Sequence, residues 1–468
     1  MFALQSDRVA LRFGDRTLTH AELGACAGAL AQRLSGLPRV AIWATPAIET
    51  CVAVVAALLA GVPAVPLNPK VGERELAHIV TDSAPAAVLA APGVELPEGL
   101  GPVPRLDVVL DGGGAASFAD PGAEAPALIV YTSGTTGAPK GVVLPRRAIV
   151  STLDAVAEAW GWAGDDVLVH ALPLFHVHGL ILGVLGPLRR GGTVHHLGKF
   201  STAAVTRALA GDGTMMFGVP TMYHRIAEEV GDDPELATAL SGARLLVSGS
   251  AALPVRDHER IAAATGQRVV ERYGMTETLM NTSVRADGDR RPGAVGVPLP
   301  GVEVRLVDDA GRTLDDAGAI GEIQVRGPNL FTEYLNRPDA TAEAFADGWF
   351  RTGDVGTRDE DGYYRIVGRK ATDIIKSGGY KIGASEIENA LLDHPGVKEV
   401  AVTAEPDDDL GERIVAWVVP AGAEPSPDEL ADHVARLLTP HKRPRVVRFV
   451  ESLPRNDMGK VMKRALRA

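Results

Sequence analysis

The sequence predicts an α/β protein: a large N-terminal domain of helix-covered sheets with a β-rich subdomain, then a small α+β C-terminal domain. Three observations lead there. The first third alternates strand-like and helix-like segments, the order that a mainly parallel, helix-covered sheet imposes on its connections. After about residue 300 the texture changes to short strands separated by Gly/Asp turns. Beyond residue 369, about 100 residues follow a separate helix–strand–strand–helix–strand order, enough for a small domain. The expected domains are therefore 1–368 and 369–468.

The elements follow in order. Residues 9–13 and 17–19 flank Gly14-Asp15, a hairpin signal. Thr19 with Glu22 three residues on is a capping box that opens a helix. Residues 39–43 read as a strand, 47–60 as a helix ended by Gly61, and 64–67 as a strand. A helix at 73–81 and a strand at 87–90 repeat the unit. Glycine and proline thicken over 92–126, which predicts a flexible connection, and 127–130 read as a buried strand. Residues 302–307, 321–326 and 362–367 are the strands of the β-rich region. In the C-terminal unit the helices are 385–393 and 427–438, and the strands are 397–403, 414–419 and 445–450. Ser426 as N-cap, Pro427 in the first turn and Glu429 as the capping-box partner start the second helix.

Composition narrows the function classes. A chain of 468 residues exceeds one ordinary domain. Hydrophobic content of 46% with 23% charged residues is globular. A formal charge of -12 without a long basic run argues against a nucleic-acid surface. Cys26 and Cys51 sit in Ala-rich apolar segments, as buried small residues do, and not as a disulfide or metal pair. Residues 1–13 carry Asp7 and Arg8 and lack a signal-peptide core. The longest apolar stretch, 51–67, is broken by Gly61, Pro63 and Pro66, so it reads as helix, turn and strand, not as a membrane span. The expectation is a cytoplasmic protein with no membrane or nucleic-acid partner.

The most informative run is Tyr-Thr-Ser-Gly-Thr-Thr-Gly-Ala-Pro-Lys-Gly at 131–141. Gly134 and Gly137 let the backbone approach an anion closely. The hydroxyls of Thr132, Ser133, Thr135 and Thr136 donate hydrogen bonds, and Lys140 adds positive charge, a combination suited to a polyphosphate. It is not a Walker A loop, because Lys140 lies three residues after the second glycine and no Ser or Thr follows it. A second run, Glu271-Arg272-Tyr273-Gly274-Met275-Thr276-Glu277-Thr278, follows a strand-like segment. Its Glu277 suits Mg2+, which often binds one carboxylate plus substrate phosphates. Ser248–Ala252 is small and glycine-bearing; Arg351-Thr352-Gly353-Asp354 offers a carboxylate for ribose hydroxyls.

Together these runs resemble the adenylate-forming superfamily: acyl-CoA synthetases, adenylation domains of peptide synthetases, and luciferases. The resemblance implies ATP binding by Thr132, Ser133, Gly134, Thr135, Thr136, Gly137 and Lys140. It implies Tyr273 near adenine, Thr276 at the α-phosphate and Glu277 on Mg2+. Ser250, Ala251, Glu271, Arg272 and Gly274 complete the nucleotide pocket, and Asp354 with Arg369 grips the ribose. Leu453-Pro454-Arg455-Asn456-Asp457-Met458-Gly459-Lys460 resembles the mobile lysine loop, on which Lys460 bridges the carboxylate and the α-phosphate. Gly378, Gly379 and Tyr380 match the segment that meets coenzyme A once the small domain has rotated. The hinge departs from the family's Gly-Arg-x-Asp or Gly-Arg-x-Lys-Asp: it reads Gly368-Arg369-Lys370-Ala371-Thr372-Asp373, which puts the pivot at 370–371 by approximate alignment.

The acid is addressed by residues 171–180, in which His176 and His178 alternate with Val177, and by Met280, Ser283, Arg285, Arg290 and Arg291 downstream. A second carboxylate on the substrate needs a cation, because an unpaired buried charge is costly. Arginine meets it with a planar two-point grip. This constellation looks like malonyl-CoA synthetases, which implies malonate, and with it methylmalonate, joined to coenzyme A through an acyl-adenylate. Arg290 is then the first candidate for the free carboxylate and Arg291 the next, followed by His176, His178, Met280 and Ser283. His176 also counts as a catalytic candidate. The alternative is that the arginines form a solvated charged loop. Three other functions stay open: a medium-chain or aromatic monocarboxylate ligase, a stand-alone enzyme loading a carrier protein, and a non-catalytic nucleotide-binding module. A lysine acetyltransferase acting on Lys460 would remove its charge and silence adenylation.

Overall fold

Residues up to Arg369 form three sheets in this computed structural model, which describes residues 1–112, 118–132, 138–370, 372–378, 380–456 and 459–466. A nine-stranded sheet is parallel through its centre, in the order Val270–Met275, Leu245–Ser248, Met215–Gly218, Val167–His170, Thr193–His196 and Val9–Phe13. A seven-stranded sheet runs parallel from Arg105–Asp107 through Val88–Ala90, Val40–Trp43 and Ala64–Leu67 to Pro126–Thr132. It ends antiparallel, through Lys140–Pro145, at Glu333–Tyr334. The third sheet is antiparallel and holds Glu303–Val307, Gly321–Arg326 and Trp349–Arg358, with Tyr364–Arg369 beside the last. A fourth sheet, built on Gly411–Pro420 and Val397–Asp407, belongs to the C-terminal unit. Its helices Ala384–Leu392 and Pro427–Leu437 close a separate core around Ile387, Leu391, Leu430 and Val434.

The expected α/β layout is present, but the first third serves two sheets. Val9–Phe13 and Arg16–Thr19 join the nine-stranded sheet, and the following strands join the seven-stranded one. Helix Ile48–Ala60 lies against strands of both. A helix packed on two sides must be apolar all round, and every residue from Ile48 to Leu58 is buried. Its one acidic residue, Glu49, pairs with Arg16 at 2.6 Å.

Local signals worked where they were self-contained. Thr19 and Glu22 make both bonds of the capping box, at 3.1 and 2.8 Å. Gly61 ends its helix in the left-handed conformation, φ 68°. Within 92–112 the chain is more ordered than expected, because Arg105–Asp107 adds an edge strand parallel to Val88–Ala90. Ser426 caps the Glu429 amide at 3.1 Å, yet the Glu429 carboxylate faces His394 Nε2 at 3.2 Å in place of closing the box. Among the described residues no helix is long and apolar enough to cross a membrane.

Candidate active site

A cleft of about 890 Å³ lies between the large and C-terminal units. Ser250, Ala251, Arg272, Tyr273, Asp354 and Arg369 line one wall; Glu388, Glu399, Arg455 and Lys460 line the other. The strand Val270–Met275 delivers several of these groups and turns through residues 276–278 into the antiparallel strand Leu279–Ser283. The turn is tight. Leu279 sits at φ 49°, and a Cβ on Gly274 would fall 1.8 Å from the Leu279 carbonyl oxygen, so only glycine fits. Thr276 and Glu277 ride on this turn.

On the nucleotide side the structure joins residues far apart in sequence. The Tyr273 hydroxyl donates to Asp354 Oδ2 at 2.6 Å, and Arg369 Nε pairs with Asp354 Oδ1 at 2.8 Å. Burial raises the Asp354 pKa, with Arg369 and the Tyr273 hydroxyl acting against that rise. The buried Glu277 accepts from the Tyr334 hydroxyl at 2.9 Å, and the Lys140 ammonium lies 4.2 Å from the centre of the same Tyr334 ring. Burial also raises the Glu277 pKa. Thr132 pairs with Lys140 across the hairpin that carries the Gly-rich run. Ser133, Gly134, Thr135, Thr136 and Gly137 lie outside the described residues. Ser250 lines the cleft with φ 74°, a conformation rarely taken by a side-chain-bearing residue.

Glu271, expected among the nucleotide ligands, is occupied elsewhere. Its carboxylate accepts from the Gly293 amide at 2.9 Å and the Leu253 amide at 3.2 Å, clamping two loops that border the cleft. Burial pushes its pKa up to about 7, with both amides opposing the shift. Because the folded value exceeds the unfolded one, its stabilising contribution is complete below pH 4.5 and fades as pH rises to about 7. Glu271→Gln should flatten that decline, on the order of 3 kcal/mol, in chemical denaturation followed across this pH range. An unchanged slope would refute the assignment.

The acyl-side candidates divide sharply. Arg290 donates to the carbonyls of Arg268 and Ala286, at 2.9 and 3.0 Å. Arg291 is held by Asp289, Asp359 and Asp361, at 2.7, 2.9 and 2.6 Å, and lies over the Tyr363 ring. Ser283 accepts from Trp160 Nε1 at 2.9 Å and donates to the Val284 carbonyl. These three were expected at the substrate, and the structure commits them to other partners. Met280 is buried beside Gly274. His176 is half-buried against Phe175, just before a wide π-type helix, His178–Leu185.

Arg272, expected in the nucleotide pocket, is set apart by its surroundings. It is buried, and its Nε and Nη2 have no hydrogen-bond partner among the described residues. Its guanidinium lies over Gly249, where a Cβ would come within 2.2 Å of Cζ. Burial lowers its pKa to about 10. Ser250 Oγ, next in the chain, lies 3.5 Å from Nδ1 of the buried His178. Burial first, and then the Arg272 charge, keep His178 neutral well below the usual histidine range. Arg272 alternates with Glu271 and Tyr273 along the strand, and all three border the cleft.

Lys460 is exposed to the cleft. Partial desolvation there and the neighbouring Arg369 lower its pKa, while Asp354 and Asp373 act in the opposite sense. Gly378 and Tyr380 do not line the cleft; Tyr380 stacks on His441 at 4.1 Å, and Gly379 is outside the described residues. At the hinge, Lys370 Nζ reaches Glu322 at 3.1 Å and Asp309 at 3.3 Å, and Asp373 pairs with Lys463 at 3.1 Å. Arg256 crosses between the units and donates to the Leu392 carbonyl at 2.6 Å.

The chain is similar to known ligases in sequence and in fold. The chain is 44% identical to the malonate–CoA ligase of Arabidopsis thaliana over 73% of its own length, and it spans 60% of that relative. A malonyl-CoA ligase, solved as a ternary product complex with methylmalonyl-CoA and AMP, is 69% identical; 97% of this chain and 98% of that one superpose with a TM-score of 0.77. ATP-bound MatB from Rhodopseudomonas palustris is 37% identical and superposes with a TM-score of 0.90 over 98% of this chain and 95% of that one. The profile of the AMP-binding enzyme matches residues 2–335, and that of the AMP-binding enzyme C-terminal domain matches 386–460. The chain therefore belongs to the AMP-binding enzyme family.

Proposed function

We propose that this protein ligates malonate, and with it methylmalonate, to coenzyme A through an acyl-adenylate, releasing AMP and pyrophosphate. The observation that carries the substrate is Arg272. A buried guanidinium without a carboxylate partner is costly, and the second carboxylate of a dicarboxylic acid completes it with a two-point grip. A monocarboxylate would leave that charge unpaired. The neutral His178 and Ser250 sit beside it as uncharged polar neighbours. One similar ligase is a malonate–CoA ligase and another was solved with the product methylmalonyl-CoA, in agreement with this choice.

Two displacements make up the reaction. A substrate carboxylate oxygen attacks the α-phosphorus and pyrophosphate leaves; the coenzyme A sulfur then attacks the acyl carbonyl and AMP leaves. Asp354 and Arg369 hold the ribose, and Tyr273 borders the base. Lys140 and the Gly-rich run receive the polyphosphate. Thr276 and Lys460 face the α-phosphate, where charge builds in the first step. Glu277 fits a Mg2+ ligand, since its buried carboxylate gains from a nearby cation. Among the described residues no three His, Cys, Asp or Glu side chains converge on a metal site, so the ion would lean on substrate phosphates. When bound, it neutralises charge on the polyphosphate.

Residues 1–368 and 369–468 act as two bodies with the pivot at 370–371. Lys370 is tied to the large body and Asp373 to Lys463 of the small one, which supports a pivot between them. The 69% identical ligase superposes less well than the 37% identical ATP-bound one. We read this inversion as a different placement of the small domain. Its rotation would exchange Lys460 for Gly378–Tyr380, the segment assigned to coenzyme A. Acetylation of Lys460 would remove the charge that the first step uses. The cytoplasm is the compartment this reading implies.

The decisive experiment measures AMP release with ATP, Mg2+ and coenzyme A across malonate, methylmalonate, succinate, acetate, butyrate, octanoate and benzoate. Malonate and methylmalonate should lead the rest by at least roughly tenfold in kcat/KM. Preference for octanoate or benzoate would overturn the dicarboxylate reading and leave the adenylating mechanism in place.

A further inference from the structure

The lysine loop closes on itself. Arg455 and Val461 form an antiparallel bridge, the Asn456 amide donates to the Lys460 carbonyl at 3.0 Å, and the Lys460 amide donates to Asn456 Oδ1 at 2.9 Å. Gly459 approaches the large domain closely: it has φ 73°, and a Cβ there would lie 2.6 Å from Thr221 Oγ1. Such a loop sets the direction of Lys460 only if it is anchored to the domain that carries it. The Arg455 guanidinium provides the anchor. Its Nη1 donates to the Gly459 carbonyl at 2.7 Å, and its Nη2 pairs with Glu399 on the strand Val397–Asp407. One planar fork thus joins Gly459 to the sheet, a geometry that a lysine cannot reproduce.

We propose that Arg455 and Glu399 are positioning residues for adenylation, fixing the loop so that the Lys460 ammonium meets the reacting carboxylate and α-phosphate. This rests on the role given to Lys460 above. Both side chains line the cleft beside it. A misplacement of about 1 Å in such a group is enough to cost a hundredfold in rate.

The test compares Lys460→Ala, Glu399→Ala, Arg455→Ala, Arg455→Lys, Glu399→Gln and the Glu399→Ala/Arg455→Ala double variant. Two half-reactions are followed: malonate-dependent pyrophosphate exchange, and thioester formation from synthetic malonyl-adenylate and coenzyme A. Thermal unfolding is measured in parallel. Glu399→Ala and Arg455→Ala should lower kcat of the first half-reaction about 10- to 100-fold. KM for ATP should stay within about twofold, and the second half-reaction should be spared. Arg455→Lys should not rescue, Glu399→Gln should rescue in part, and the double variant should be no worse than the worse single. Equal loss of both half-reactions, or a raised KM for ATP with unchanged kcat, would overturn the proposal. If Lys460→Ala abolishes exchange while the Glu399 and Arg455 variants retain it, only the positioning role fails. If Lys460→Ala itself retains exchange, the role of the lysine fails and the positioning role with it.

Discussion

Arg272→Met should lower kcat/KM for malonate by roughly 30- to several-thousand-fold while leaving the fold at least as stable. The two halves of this expectation have one origin. Removing a cation that grips a buried carboxylate costs about 2–5 kcal/mol, because the partner charge is left without compensation. Without substrate, however, Arg272 is a buried charge whose Nε and Nη2 have no partner among the described residues, and burial already holds its pKa down at about 10. Replacing such a group by a side chain of similar volume removes a desolvation penalty, so stability should rise by about 1–3 kcal/mol. Kinetics with malonate and acetate and a melting curve on the same sample decide it. The malonate-to-acetate preference should collapse. If the preference stays intact, Arg272 does not read the second carboxylate, and the acyl anchor must be sought elsewhere.

Lys460→Ala should divide the two half-reactions. Acid-dependent pyrophosphate exchange should fall by about 10²–10³, the scale of losing one preorganised charge at a developing anion. Thioester formation from synthetic malonyl-adenylate should persist, since that step is assigned to the other domain placement. The pH profile adds a second signature. Desolvation in the cleft and Arg369 lower the Lys460 pKa, so the alkaline limb of exchange should lie below the ordinary lysine range and vanish in the variant. Comparable loss in both half-reactions would remove the distinction between the two placements.

The strand–helix alternation of the first third was legible because apolar periodicity is local. Its division between two sheets was not, since the all-apolar helix Ile48–Ala60 has the same pattern whether one sheet or two cover it. The nucleotide candidates cluster in short runs, which is why they could be proposed from the sequence. The Tyr334 contact to Glu277 was hidden, because the two are 57 residues apart with no shared motif. The partners of the acyl candidates were hidden as well. Arg290 and Arg291 look like an anion site in sequence, but Asp359 and Asp361, about seventy residues on, claim Arg291, and backbone carbonyls claim Arg290. Arg272 stands inside a strand and is marked out by what it lacks, and an unmet hydrogen bond leaves no trace in a sequence.

The helix shared by the two sheets has a mechanical meaning. The Gly-rich run is carried by the seven-stranded sheet, and the Thr276–Glu277 turn by the nine-stranded one. Helix Ile48–Ala60 lies against strands of both sheets, with Ala53, Ala56 and Ala57 wholly buried. Its girth therefore helps to set the gap between the two sheets that carry the proposed phosphate ligands. A larger residue at Ala53 or Ala56 would wedge the sheets apart and detune that gap from a distance, without altering any group that meets the nucleotide.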